Sequence, residues 1–328
     1  MLRGLILGLL ALLPTLAWSF PLDVAGLDTT RTAIWIHDLR LGADIVRANV
    51  DRPLVPASVT KAVTSAALLS IADPEERFAT PVVAVGRLSP DGILDGDIVI
   101  RAMGDPTIES AYLDGARGMA DSVASAALRL GIREVRGRVV VDESRFADAT
   151  TPPGWMEEDL LWPYGTRLHG ANWADNRFRL RWPSKATEPE VPGLSFKTAP
   201  SKGRGTKVSR TDGSETFVIS GNTRRAFSDT YAMPDPSKAM EAAVTRALRS
   251  AGVTVGWAKT RPSADEHPLY VHLSPTFGEI LRSLMVRSDN LMAEGMLRAL
   301  VPGGTRAEAL AEERKIWAAD ALNTHGVN

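Results

Sequence analysis

The chain of 328 residues contains no cysteine. That excludes disulfides, thiolate metal sites and a cysteine nucleophile together, and says nothing about compartment. No charge of one sign prevails: Lys+Arg number 38 and Asp+Glu 39, a formal charge of −1, so no global field marks nucleic acid as a partner. No apolar run approaches the roughly 18 residues a bilayer span requires. Internal repeats, low-complexity segments, a His-Glu-x-x-His helix and a phosphate-cradling glycine loop are all lacking. The five histidines, His37, His169, His267, His272 and His325, show no metal-ligand spacing, and nothing calls for a cofactor. What remains is an ordinary globular composition, 44% hydrophobic and 23% charged, long enough for roughly two domains.

The N-terminus has the layout of a secretory signal peptide: Arg3, an apolar stretch Leu5–Leu13, then Ala17-Trp18-Ser19 with small residues where a signal peptidase reads. Residues 1–19 are therefore expected to be cleaved from an exported protein. Apolar and polar residues alternate over 32–40 and again over 44–50, which predicts an antiparallel hairpin. Helical periodicity follows over 58–71, apolar enough to predict burial on most sides. Short strands are expected at 81–87, 97–101 and 135–141, with a helix over 115–131 between them. From 150 to 235 the chain is rich in Pro, Gly and Ser, with strands near 175–182, 206–210, 215–220 and 224–231. Helices are expected over 237–251, 276–300 and 305–322. The simplest organisation is α/β (α+β) and discontinuous: residues 20–74 join 266–328, and a β-rich insertion occupies 75–265.

Two groups of residues carry chemistry. Serine is a weak nucleophile without a base in hydrogen-bond reach. Ser58 and Lys61, three apart at a helix start, share a face, and an ammonium beside a buried apolar helix loses hydration, which lowers its pKa toward that of a base. The helix N-terminus also favours negative charge developing on the serine oxygen. Ser58 as an N-cap before a surface lysine is the alternative. Ser288-Asp289-Asn290 falls between two helical stretches, where a turn would present a hydroxyl and an amide to a cleft. Plain helix capping by Ser288 or Asp289 is the alternative there.

Ser-x-x-Lys followed by Ser-Asp-Asn is the signature of penicillin-binding proteins and serine β-lactamases, whose third element is Lys-Thr-Gly. With Pro56-Ala57 before Ser58, Gly104-Asp105-Pro106-Thr107 and Pro153-Gly154-Trp155, the chain resembles the D-alanyl-D-alanine carboxypeptidase/endopeptidases, the low-molecular-mass class C penicillin-binding proteins. These are similar in carrying large extra domains between the first two motifs. The resemblance implies a transpeptidase-like domain of the penicillin-binding-protein/β-lactamase fold and a periplasmic hydrolase of peptidoglycan stem peptides. It implies that Ser58 forms an acyl-enzyme, Lys61 takes its proton, Ser288 helps protonate the leaving amine, and Asn290 orients the lysine and the acyl amide. Asp289 is the weakest member, a substrate contact or a residue pointing into the fold. β-Lactams would inhibit covalently.

No Lys-Thr-Gly follows Ser288. Lys197-Thr198-Ala199 and Lys259-Thr260-Arg261 lie upstream and lack the glycine. The expectation is a sequence truncated before that motif, with the 32–50 hairpin left as a bare strand edge. Two further readings stand beside the carboxypeptidase: a serine β-lactamase, for which Glu294, Glu308, Glu312 and Glu313 are ill placed as deacylating base, and a non-catalytic peptidoglycan-binding protein. Several features are set aside. His37-Asp38 reads as a surface pair. Trp155, Trp162, Trp173 and Trp182 suggest core packing before a glycan-stacking platform. Lys197, Lys202, Arg204, Lys207 and Arg210 read as a solvated loop before a contact with anionic glycan or membrane.

Overall fold

A computed structural model describes residues 28, 30–146, 151–200, 205–258 and 265–324. The expected signal peptide, Lys259-Thr260-Arg261, Lys202, Arg204 and His325 lie outside them. No helix among the described residues is long and apolar enough to cross a membrane. The chain divides into two compact units, one up to Val59 and one from Thr60 onward.

The first unit holds the predicted hairpin, β1 (Ile34–Asp38) and β2 (Ala43–Ala48), which pair antiparallel with a register shift between Ile36 and His37. Among the described residues these strands pair only with each other. Trp35, Leu39 and Leu41 stay largely exposed. His37 does not pair with Asp38. Its Nδ1 meets Asp44 Oδ1 across the hairpin at 2.7 Å, and the same oxygen accepts from Trp35 Nε1 at 2.6 Å. Asp38 instead accepts the Arg40 and Leu41 N–H groups and shapes the turn. Alternate residues of a strand face one way, so His37 and Asp38 point apart.

The second unit begins with α1 (Thr60–Ile71). β3 (Ala79–Leu88) and β4 (Ile93–Arg101) form a hairpin, in which Gly86 faces Gly96. A Cβ on either would land on a carbonyl of the partner strand, so neither position admits a side chain. Then come α2 (Met119–Arg129), β5 (Glu134–Val135) and β6 (Val139–Asp142). β7 (Arg177–Trp182), β8 (Ala186–Glu188), β9 (Ser195–Ala199), β10 (Thr206–Ser209), β11 (Thr216–Gly221) and β12 (Phe227–Ala232) follow; β7, β10, β11 and β12 lie close to the predicted strands, whereas β8 and β9 were not predicted. The chain ends with α3 (Pro236–Ser250), β13 (Thr254–Val255), β14 (Glu266–Leu273), α4 (Phe277–Arg287), α5 (Asn290–Ala299) and α6 (Arg306–Thr324).

A six-stranded sheet runs β13-β5-β4-β3-β14, with β6 beside β4. Leu94, Ile98 and Ile100 of β4 share one core with Met119, Val123 and Ala127 of α2 and Met240, Val244 and Leu248 of α3. Two three-stranded sheets, β10-β11-β9 and β12-β7-β8, complete the β-rich part. The sequence pattern did not reveal β14, because Pro268 interrupts it. Proline is tolerated there since β14 is an edge strand with a register shift at Pro268/Tyr270.

A separate core forms around α4 and α5, where Leu68 of α1 packs with Ile280, Leu281, Leu284, Met292 and Met296. The burial expected of α1 is only half right. Lys61, Thr64, Ser65, Ala67 and Leu68 are buried, but Ala62, Ala66, Leu69 and Ile71 are exposed. Within its unit α1 meets α4, α5 and α6. Ala62 and Ala66 carry helix propensity without requiring cover, so apolar composition overstated the buried face there. Leu69 lies on the same exposed side, and Ile71 is exposed at the helix end.

Candidate active site

Lys61 lies on the buried face of α1, with 9% of its surface exposed. A buried ammonium needs an acceptor, and the structure supplies one from 229 residues away: Nζ donates to Asn290 Oδ1 at 2.5 Å. Asn290 Nδ2 in turn donates to the Tyr164 carbonyl at 2.8 Å. An ammonium only donates and a carbonyl only accepts, so the two neighbours fix which way the amide points. Burial lowers the Lys61 pKa, and the carboxylates of Asp289 and Glu294 act against that fall.

Asn290 is placed by the break between α4 and α5. The capping box of Thr276 and Glu279 starts α4, with Thr276 N–H to Glu279 Oε2 at 2.8 Å and Glu279 N–H to Thr276 Oγ1 at 3.2 Å. Apolar periodicity over 276–300 suggested one continuous helix, but Ser288 turns left-handed, with φ 55°. Asp289 then caps α5, its Oδ1 accepting from the Met292 N–H at 2.9 Å. Burial raises the Asp289 pKa, with the Met292 bond opposing it. Asp289 thus has a structural task, while Ser288 beside it presents an exposed hydroxyl. The end of α4 is held from outside: the Arg287 guanidinium lies 3.2 Å from the Tyr112 ring centre, and Arg177, on the same ring at 4.4 Å, pairs with Asp175 at 3.3 Å.

Ser58 belongs to the first unit, exposed in the 3-10 turn Ala57–Val59 that precedes α1. The helix proper starts at Thr60, two residues later than the periodicity predicted. Ala57 has φ 46°, a left-handed conformation costly for a residue with a Cβ.

The loop Gly104–Thr107 supports α5 from below. Gly295 packs on Pro106 so closely that a Cβ would stand 2.5 Å from the ring Cγ and 2.9 Å from Cβ and Cδ. The proline ring cannot swing away. Gly295→Ala is expected to cost about 1–3 kcal/mol of stability, read as a lower urea midpoint at unchanged slope.

Asp105 in the same loop is fully buried. Its Oδ1 accepts from Thr107 N–H at 2.8 Å and Thr107 Oγ1 at 2.6 Å, whereas Oδ2 has no partner among the described residues. Burial pushes its pKa up to about 6, against the Thr107 bonds. The folded chain therefore binds a proton that the unfolded chain has released between about pH 4 and 6, so stability falls as pH rises through that window, by about 3 kcal/mol. Asp105→Asn keeps an oxygen for Thr107 and is expected to flatten the slope in urea titrations at about pH 4, 5 and 6. An unaltered slope would mean that Asp105 is ionised in the fold.

The glutamates weighed for a β-lactamase are engaged elsewhere. Glu294 is gripped by Arg306 at 2.8 and 3.0 Å, and Glu308 pairs with Thr305 at the start of α6. Glu312 bonds Lys315 at 3.1 Å, and buried Glu313 accepts from Thr64 Oγ1 at 2.6 Å, one turn along α1 from Lys61. No group of His, Asp or Glu among the described residues is arranged to hold a metal ion. Tyr164 escaped notice in the sequence because it contributes a main-chain carbonyl, which no residue type signals.

The tryptophans divide. Trp173 and Trp182 are buried, as packing required, while Trp162 is half-buried. Arg210 departs from the solvated reading, donating to the Leu160 carbonyl at 2.8 Å and lying over Phe217.

Residues 21–328 match the sequence model of the D-Ala-D-Ala carboxypeptidase 3 (S13) family. The D-alanyl-D-alanine carboxypeptidase DacB of Haemophilus influenzae is 24% identical over 267 residues, which cover 75% of this chain and 54% of that protein. The chain thus spans about half the length of that relative. The crystal structure of penicillin binding protein 4 (dacB) from the same organism superimposes with a TM-score of 0.71 at 20% identity, covering 89% of this chain and 68% of the other. A second structure of that protein, complexed with a β-lactam, gives 0.64 at 18% identity over 89% and 67%. These likenesses establish a penicillin-binding-protein-like fold.

Proposed function

The chain belongs to the D-Ala-D-Ala carboxypeptidase 3 (S13) family, and on that footing we propose that it supplies the serine and lysine of an acyl-serine hydrolase of D-alanyl-D-alanine stem peptides in peptidoglycan. The observation that carries this reading is the Lys61–Asn290 bond. A lysine on a buried helix face, its pKa lowered by burial and its direction set by an amide, has the properties of a general base.

In the proposed step Ser58 Oγ attacks the carbonyl between the two D-alanines while Lys61 Nζ takes the hydroxyl proton. The tetrahedral intermediate expels the terminal D-alanine as its amine takes up a proton delivered through Ser288, leaving an ester on Ser58 that water hydrolyses. A serine held in a left-handed conformation, where glycine is cheaper, supports a working role for the Ser288 hydroxyl. A β-lactam would enter the same way, but its ring opens without a departing group, so the acyl-enzyme persists. Carboxypeptidase and endopeptidase action share this chemistry.

Export to the periplasm with loss of residues 1–19 belongs to the same reading, and N-terminal sequencing of the mature protein tests it. The test of the chemistry is the intact mass after treatment with penicillin. The expected result is a single addition of the whole drug, mapped to the peptide carrying Ser58. An adduct mapped elsewhere, or none at all, would overturn the reading.

A further inference from the structure

Apart from the candidate site, the described surface holds a groove of about 760 Å³ whose lining includes none of Lys61, Ser288 and Asn290. One wall is the 3-10 turn Glu157–Leu161 with Trp162, and the other comes from β10 and β12. Aromatic rings contribute to its lining: Trp162 and Tyr231 lie 5.7 Å apart at 30°, with Phe227 nearby in the same lining. Trp162 and Phe227 are only half-buried.

The charges around these rings balance. Glu157, Glu158 and Asp229 stand against Lys207, Arg210 and Arg225. Arg210 is spent on the Leu160 carbonyl. Glu157, Glu158, Lys207 and Arg225 are exposed and, among the described residues, enter no ion pair. A polyanion would meet the three carboxylates and a polycation the three basic groups. A neutral chain rich in hydroxyl and amide groups uses both donors and acceptors while laying its rings on the aromatic faces.

Position gives the second argument. Trp162 is the last residue of that wall along the chain, and two residues on, past Pro163, the Tyr164 carbonyl holds Asn290. Trp162 and Tyr164 are two residues apart, at most about 7 Å, so a short stretch of backbone joins the groove to the residue that holds Asn290.

We propose that this groove binds the N-acetylated glycan strand of peptidoglycan, from which a stem peptide branches toward Lys61 and Asn290. The assignment rests on the function proposed above and adds where the polymer lies. It also returns one tryptophan, Trp162, to the glycan-stacking role that composition alone ranked second.

The test uses the full chain and peptide-free N-acetylglucosamine oligosaccharide strands, which carry the N-acetylated sugar and no charge, titrated by intrinsic tryptophan fluorescence. Saturable binding is expected, weakened about tenfold by Trp162→Ala, the loss of one aromatic platform. Because Trp162 also packs on Tyr231, a second variant, Arg225→Glu, changes an exposed residue with no ion pair among the described residues and is expected to weaken binding severalfold with unchanged thermal unfolding. Penicillin labelling of Ser58 should keep its normal rate in both variants, so the groove and the acyl-serine chemistry stand or fall separately. The proposal is overturned if peptide-free strands do not bind, if both variants bind them as the parent does, or if free stem peptides compete for the groove and strands do not.

Discussion

Replacing Ser58 by alanine is expected to abolish covalent capture of penicillin and to slow release of D-alanine from a D-alanyl-D-alanine peptide by at least about a thousandfold. The reason is the scarcity of substitutes. The chain has no cysteine, and Ser288, the other serine of the two motifs, sits two residues from Asn290 in a strained turn, with a proposed task of proton delivery. Ser288→Ala is accordingly expected to slow acylation while leaving the adduct on Ser58. Labelling of Ser58→Ala at the parental rate would remove the assigned nucleophile. Labelling lost in Ser288→Ala and kept in Ser58→Ala would exchange the two roles. Circular dichroism separates these outcomes from misfolding, and Ser58 is exposed, so losing its hydroxyl leaves no core cavity.

The second large effect concerns the proton. Lys61 acts as a base only when neutral, so acylation should rise with pH through a pKa below the ordinary lysine value of about 10.4, in the direction burial drives it. Asn290→Asp places a carboxylate where the amide oxygen now stands, 2.5 Å from Nζ. An opposite charge at that range favours the ammonium, and the rising limb is expected to move up by about 1–3 units. Each unit lowers the neutral fraction about tenfold at neutral pH. Lys61→Arg keeps the charge but cannot surrender its proton, so its limb should vanish and the rate drop by about 10²–10⁴. A pH profile unmoved by Asn290→Asp would show that Lys61 is not the titrating group. A near-normal rate in Lys61→Arg would reduce it to a fixed positive charge.

The two kinds of information divide along physical lines. Strands and helices were legible where a local period reports burial, as in β7, β10, β11 and α3. They were misread where another force intervened. Pro268 hid β14 because an edge strand can dispense with an N–H donor. The alanines of α1 imitated a buried helix because they favour helix whether covered or not. His37 met Asp44 rather than its neighbour Asp38 because adjacent strand residues point to opposite faces.

The candidate site follows the same division. Residue type and spacing singled out Ser58, Lys61, Ser288 and Asn290, since Ser-x-x-Lys and Ser-Asp-Asn, each loose alone, occur here in order along one chain. Sequence by itself also determined the family, which follows from the order of short motifs along the chain. Only the tertiary structure decided that Lys61 is buried, that Asn290 is its acceptor, that Asp289 caps a helix, and that the Tyr164 carbonyl closes the arrangement. Those facts depend on which face of α1 packs against α5 and on a main-chain oxygen common to every residue. Neither leaves a mark on the identity of any single amino acid.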